Sequence, residues 1–314
     1  MGLFSKRQTS ASAAAVLPTA PAVPVVRDAF GREVAGAVLP PIGERVEVVR
    51  NGERVAMWND PTAYRCPGGA VSPFFTDLLS ADGGVLISGA TGSGKSVLLG
   101  GIITAILRSF CPSGSDKGKS CSMYLCDPKI VEFQRFRAAP HVVGYAESYD
   151  GIMNTLDDID RLMMERYETM KHKGLRKWDG ERVFVFIDEI GDLMLTRRAE
   201  FLPRLTHILN LCRASGITVF CASQSPSRLT IPAQVQLNCT VKIALRCDTA
   251  IESRQVVGEP GAETLPRYGF CLLKRPGSAI AKSELPYVTD EEIADTLKAV
   301  YKAKLEMLRS AVIG

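Results

Sequence analysis

From about Leu79 onward, short apolar runs alternate with longer amphipathic stretches, a pattern that predicts a mostly parallel sheet flanked by helices. The runs at 85–88, 122–126, 183–187, 218–222, 240–245 and 270–273 read as strands, bounded by turn residues. Apolar positions at helical spacing predict helices over 95–110, 149–171, 199–215 and 290–310. The last opens on Thr289-Asp290-Glu291-Glu292, where acidic side chains favour a helix N-terminus. Upstream the pattern is different. Residues 1–26 are rich in Ala, Ser, Pro and Thr without periodicity and read as a disordered tail. Two β-favouring pieces, 45–50 and 54–58, flank Asn51-Gly52 and predict a hairpin with a tight turn. They form either a small β appendage or the first strands of the main domain. The first reading divides the chain into a tail (1–26), a β-rich appendage (27–78), the α/β domain (79–286) and a C-terminal amphipathic helix (287–314).

Composition adds exclusions rather than a function. Hydrophobic residues make up 46% and charged residues 23%, as in an ordinary globular protein. A net charge of +4 is too small to argue for nucleic acid by itself, so that case must come from local sites. The nine cysteines are scattered without a CxxC pair, and with three histidines there is no zinc spacing. Several lie inside apolar runs, as buried thiols in a reducing cytoplasm do. Gly2 and the apolar 13–16 faintly suggest lipidation or a signal peptide, but Pro18, Pro21 and Pro24 break the stretch. No run of about twenty apolar residues occurs, so no membrane span is expected.

Three motifs carry chemistry. Gly89-Ala90-Thr91-Gly92-Ser93-Gly94-Lys95-Ser96 matches GxxxxGK[ST], follows a strand and opens a helix. In that context the glycines let backbone N–H groups surround phosphates, Lys95 neutralises the β- and γ-phosphates of ATP, and Ser96 coordinates Mg²⁺. The second motif is the apolar strand 183–187 ending in Asp188-Glu189. Asp188 would hold Mg²⁺ through its water shell and Glu189 would polarise the attacking water; helix capping is the plainer alternative for the pair. The third is Gln224 at the end of the strand 218–222, placed to sense the γ-phosphate or the attacking water.

Three motifs on three strands predict a RecA-like, additional-strand P-loop ATPase. From Val85 to about Ala294 the chain resembles the motor domain of the FtsK/SpoIIIE DNA translocases. The matching segments are Asp127-Pro128-Lys129, Met164-Glu165-Arg166-Tyr167, Cys212-Arg213-Ala214-Ser215-Gly216-Ile217, Ser223-Gln224-Ser225-Pro226-Ser227, Glu252-Ser253-Arg254, Gly261-Ala262-Glu263 and Gly269-Phe270. The resemblance implies a homo-oligomeric ring, a hexamer, that pumps double-stranded DNA at the expense of ATP. It makes Arg213 the candidate finger that completes a neighbour's site, although a salt-bridging residue near a helix C-terminus is as plain a reading. Arg228 and Arg254 are the candidate DNA contacts, since translocation along any sequence needs cations on phosphates rather than base readers. Two departures stand out: Ser225 where an arginine is usual and Ala250 where a lysine is common.

Family members that move chromosomes add membrane spans and a DNA-orientation reader. Their absence here suggests a stripped motor like those of actinobacterial conjugative plasmids, integrative elements and phages. It would be cytoplasmic, recruited to the membrane or septum by an anchored partner. Competing readings are a HerA-like helicase, a type IV coupling protein or a packaging ATPase. One of another class is an ATP-switched scaffold of a division or secretion complex.

Overall fold

The computed structural model describes residues 74–79, 83–110 and 121–313, together with short strands within the first 72 residues. Those early strands are β1 (Val26–Arg27), β2 (Glu33–Val34), β3 (Arg45–Arg50), β4 (Glu53–Trp58), β5 (Tyr64–Arg65) and β6 (Val71–Ser72). β3 and β4 pair antiparallel from Arg45↔Trp58 to Arg50↔Glu53, the hairpin that Asn51-Gly52 predicts. They belong to a four-stranded sheet ordered β4-β3-β6-β5, separate from the main one. The disordered-tail reading of 1–26 falls almost wholly outside the described residues.

The main sheet draws on β7 (Gly83–Ser88), β8 (Cys121–Cys126), β9 (Val142–Ala146), β10 (Arg182–Ile187), β11 (Ile217–Ser223), β12 (Cys239–Ala244), β13 (Phe270–Lys274) and β14 (Ala281–Glu284). Its eight strands run in the order β14-β13-β12-β7-β11-β10-β8-β9. From β12 to β9 every pairing is parallel, while β13 and β14 join antiparallel at one edge. Helices α1 (Phe74–Leu79), α2 (Lys95–Ser109), α3 (Tyr149–Lys173), α4 (Ile190–Thr196), α5 (Arg198–Leu211), α6 (Ala233–Asn238), α7 (Ala250–Val257) and α8 (Asp290–Ile313) cover both faces.

The central strands are apolar on both faces because each side chain row faces a helical layer. Val85, Ile87, Phe184, Phe186, Phe220 and Ala222 join α1, α2 and α8 in one core. The alternate residues Leu86, Val183, Val185, Ile187, Val219 and Cys221 meet α3, α4, α5, α6 and α7 in a second. Phe186 and Phe220 stack with centroids 4.5 Å apart, so adjacent strands are locked side to side as well as through the backbone. Each such buried ring contributes roughly 2–3 kcal/mol. The C-terminal helix is part of this body: Ile293 and Val300 are buried, and Arg108 Nε donates to Thr296 Oγ1 at 2.9 Å. Seven described cysteines are buried and free, and burial pushes the thiols of Cys126, Cys247 and Cys271 up to about 12. Such thiols act as small hydrophobes rather than nucleophiles. No helix among the described residues is long and apolar enough to cross a membrane.

Candidate active site

Parallel strands end together, and three adjacent ends build the site. β7 runs into the loop Gly89–Ser96, and Gly89 N donates to Ser223 O of β11 at 3.3 Å while Ala90 N donates to Arg246 O at 2.9 Å. A Cβ on Gly89 would lie 2.5 Å from Ser93 Oγ and 2.6 Å from Leu245 Cβ, so only glycine lets the loop close here. Gly94 caps α2 in the left-handed region (φ 94°) without any side-chain cap bond, and the first turn of α2 carries no acid. Its backbone N–H groups therefore point outward at the positive end of the helix dipole, the arrangement that binds phosphate.

Lys95 and Asp188 form a buried ion pair across β7 and β10, with Lys95 Nζ donating to Asp188 Oδ1. Burial pushes the Asp188 carboxyl up from its ordinary range, and Lys95 opposes that shift. Asp188 Oδ2 is buried without a hydrogen-bond partner. An orphaned carboxylate oxygen beside a lysine fits Mg²⁺, which takes one or two carboxylates and fills its shell with water and phosphate. Among the described residues no cluster of three or more His, Cys, Asp or Glu side chains is placed to hold a metal ion. Ser96 is exposed at the loop's end, its Oγ donating to Glu132 Oε1 at 2.7 Å.

Glu189 is buried and adopts a left-handed backbone (φ 52°), one of two non-glycine residues described with positive φ. Strain of this kind persists where the surroundings fix it, and here they do. Glu189 Oε1 accepts from Gln224 N at 3.2 Å and from Ser223 Oγ at 3.4 Å, and Oε2 accepts from Lys129 Nζ at 3.2 Å. Glu189 occupies the N-cap of α4 without a side-chain cap bond, so the helix-capping alternative for the acidic pair is not realised. Gln224 Oε1 in turn accepts from Thr91 Oγ1 at 3.2 Å, which ties the end of β11 to the phosphate loop. The loop, Asp188, Glu189 and Gln224 thus converge as the sequence pattern predicts.

The three arginines do not join them. Arg213 is exposed in the turn between α5 and β11, and a Cβ on Gly83 would lie 3.7 Å from its Cβ. It therefore sits at the opposite end of β7 from the loop, roughly 16 Å along the strand at about 3.3 Å per residue. Arg228 and Arg254 are also exposed, and their segments are joined where Gln255 Nε2 donates to Ile231 O at 3.0 Å.

The turn bearing Arg213 rests on a rigid support. Arg166 is 3% exposed, donates to Ser215 O at 2.8 Å and lies over the Trp178 ring at 4.8 Å. Trp178 N donates to Ala214 O at 2.8 Å, and Tyr167 OH donates to Leu211 O at 2.8 Å. These bonds take up carbonyls left open at the end of α5. Arg166→Met keeps the aliphatic stem but strands Ser215 O, so it should cost roughly 2 kcal/mol in urea unfolding.

Three polar groups near the nucleotide loop had no role assigned from sequence. Lys129 and Glu132 come from the turn after β8, and Arg267 comes from the turn before β13. A Cβ on Gly92 would lie 3.0 Å from Arg267 Nη2. Lys129 stands in the Asp-Pro-Lys segment, which was a readable signal; nothing in the sequence marks Arg267.

Together the fold and these side chains define a RecA-like, additional-strand P-loop ATPase domain. The sequence profile of the FtsK/SpoIIIE family matches residues 47–259, and the chain belongs to that family. It is similar to the "DNA translocase FtsK" of Sporosarcina ureae, at 28% identity over 254 residues covering 73% of this chain and 31% of the relative. That of Listeria monocytogenes is 29% identical over 237 residues, covering 69% of this chain and 30% of the relative. The chain thus spans about a third of the length of these curated relatives. Among solved structures, the pCW3 conjugation coupling protein TcpA with ATPγS is similar in fold. Its TM-score is 0.60 at 22% identity, over 83% of this chain and 71% of that one. EssC ATPases 2 and 3 of Geobacillus thermodenitrificans give a TM-score of 0.61 at 18% identity, over 93% of this chain and 53% of that one.

Proposed function

We propose that this chain hydrolyses ATP with Mg²⁺ and works as a ring-shaped motor, a hexamer, on double-stranded DNA. The observation that carries the hydrolytic reading is Glu189, a carboxylate fixed at the loop's edge by Ser223 and Gln224. The loop N–H groups and Lys95 would hold the β- and γ-phosphates, with Lys95 drawn from Asp188 by their charge. Mg²⁺, held by Ser96 and Asp188, would supply charge neutralisation on the transferred phosphoryl group. Glu189 would then orient and deprotonate water, and Gln224 would report the γ-phosphate to the segment carrying Arg228.

Arg213 supports the ring. It lies too far from its own loop to serve it, yet its exposed, braced position suits a neighbour's site. The DNA reading comes from family membership and from the two FtsK relatives, which are named DNA translocases. We place the task in plasmid or element transfer or phage DNA handling, with Arg228 and Arg254 on DNA phosphates, in the cytoplasm and brought to membrane or septum by an anchored partner. The domain boundaries at 26, 78 and 286 belong to the same proposal.

ATP turnover measured on duplex and single strands across salt tests this reading. Duplex should stimulate turnover, with a stimulation that falls steeply as salt rises because phosphate contacts release counterions. Stimulation by single strands alone would favour a coupling-protein role, and turnover indifferent to DNA would favour a nucleotide-switched scaffold.

A further inference from the structure

The turn after β8 reaches into the site from a direction that the three nucleotide motifs do not use. Asp127 is fully buried and builds that turn with its own carboxylate: Oδ2 accepts from Phe133 N at 2.9 Å and from Tyr145 OH at 3.2 Å. Ile130 N donates to Asp127 O at 3.1 Å, and Ile130 takes a left-handed backbone (φ 61°) at the turn's apex. Phe133 then packs edge-on against Phe186 of β10, with centroids 6.0 Å apart. A turn anchored on a buried carboxylate and a buried ring holds its polar side chains in fixed places. Lys129, beside the apex, is aimed at Glu189, and the pair is half-exposed at the lysine (41%) and buried at the glutamate (9%).

An ionised carboxylate offers roughly four lone-pair sites. In Glu189 the two donors Ser223 Oγ and Gln224 N take Oε1, and Lys129 takes one of the sites on Oε2. Both oxygens are thereby engaged by protein groups, and Oε2 is drawn toward the β8 turn. We propose that Lys129 is a positioning residue that holds Glu189 in a resting orientation, so that water is polarised more readily when this ion pair opens. The inference rests on the ATPase reading above and deepens it. The lysine touches no reacting atom; it acts through the glutamate. The turn itself is anchored to β10 through Phe133 and Phe186, so the part free to move is the half-exposed Lys129 side chain, and its release from Glu189 frees Oε2.

The test compares Lys129→Met, Lys129→Arg and Glu189→Gln with the wild-type chain, reading both steady-state turnover without DNA and affinity for a fluorescent ATP analogue. Lys129→Met should raise kcat roughly two- to fivefold, the range that a half-exposed ion pair supplies, with KM and analogue affinity unchanged. Lys129→Arg should restore the wild-type rate, because a guanidinium can keep the contact. A fall in kcat, or an unchanged kcat with analogue affinity intact, overturns the gate. Loss of analogue affinity in Lys129→Met also overturns it, since the lysine would then belong to the binding surface. The ATPase reading fails separately, through wild-type turnover that Glu189→Gln leaves untouched.

Discussion

Glu189→Gln is expected to keep ATP binding and assembly while lowering hydrolysis by roughly 10²–10⁴-fold, the range for removing a positioned general base. The amide is the same size as the carboxylate, and its oxygen can still accept from Ser223 Oγ and Gln224 N. What it cannot do is take a proton from water. Its NH₂ would face the Lys129 ammonium, donor against donor, in place of the 3.2 Å ion pair. Because that pair is half-exposed, the stability lost should stay below about 1 kcal/mol. Phosphate release and titration with a fluorescent nucleotide check both halves. Normal turnover in the variant would remove Glu189 from the mechanism.

The phosphate loop and the acidic pair were legible because their signals are local. A glycine-rich turn between an apolar strand and a helix needs no partner to be recognised, and an apolar strand ending in Asp188-Glu189 is read the same way. Boundaries slipped where packing overrode propensity. Gly83 and Gly84 look like strand breakers, yet they pair with Thr218 and Val219 of β11. β9 and β14 went unread because neither is a continuous apolar run: both are partly exposed edge strands whose pairing is set by a neighbour. α4, α6 and α7 are too short to show a helical period. The capping box of Thr249 and Glu252 at the start of α7 was a usable signal nonetheless. Lys129 and Glu189 stand 60 positions apart in the chain, and only the neighbouring placement of β8 and β10 brings them together.

Geometry also turns Arg213 from a motif match into a sharper test. A cation stabilises the transferred phosphoryl group only within contact distance, and Arg213 lies at the wrong end of β7 for its own loop. Any catalytic role must therefore be in trans, and the support from Arg166, Tyr167 and Trp178 keeps the turn rigid enough for it. Arg213→Ala should cut DNA-stimulated turnover by roughly 10³-fold or more while leaving the fold intact, since the side chain is exposed. Lys95→Ala should abolish turnover by a different route, losing the phosphate ligand and leaving Asp188 buried without its partner. Mixed in equal amounts, the two variants regenerate an intact loop facing an intact arginine at roughly a quarter of the interfaces of a randomly assembled ring. Turnover in the mixture should then exceed that of either variant alone by orders of magnitude. Co-purification of the two variants through a tag carried by only one of them establishes that mixed rings form. Mixed rings without recovered turnover would show that Arg213 completes no neighbour's site, and would return it to the turn after α5 as an ordinary solvated cation.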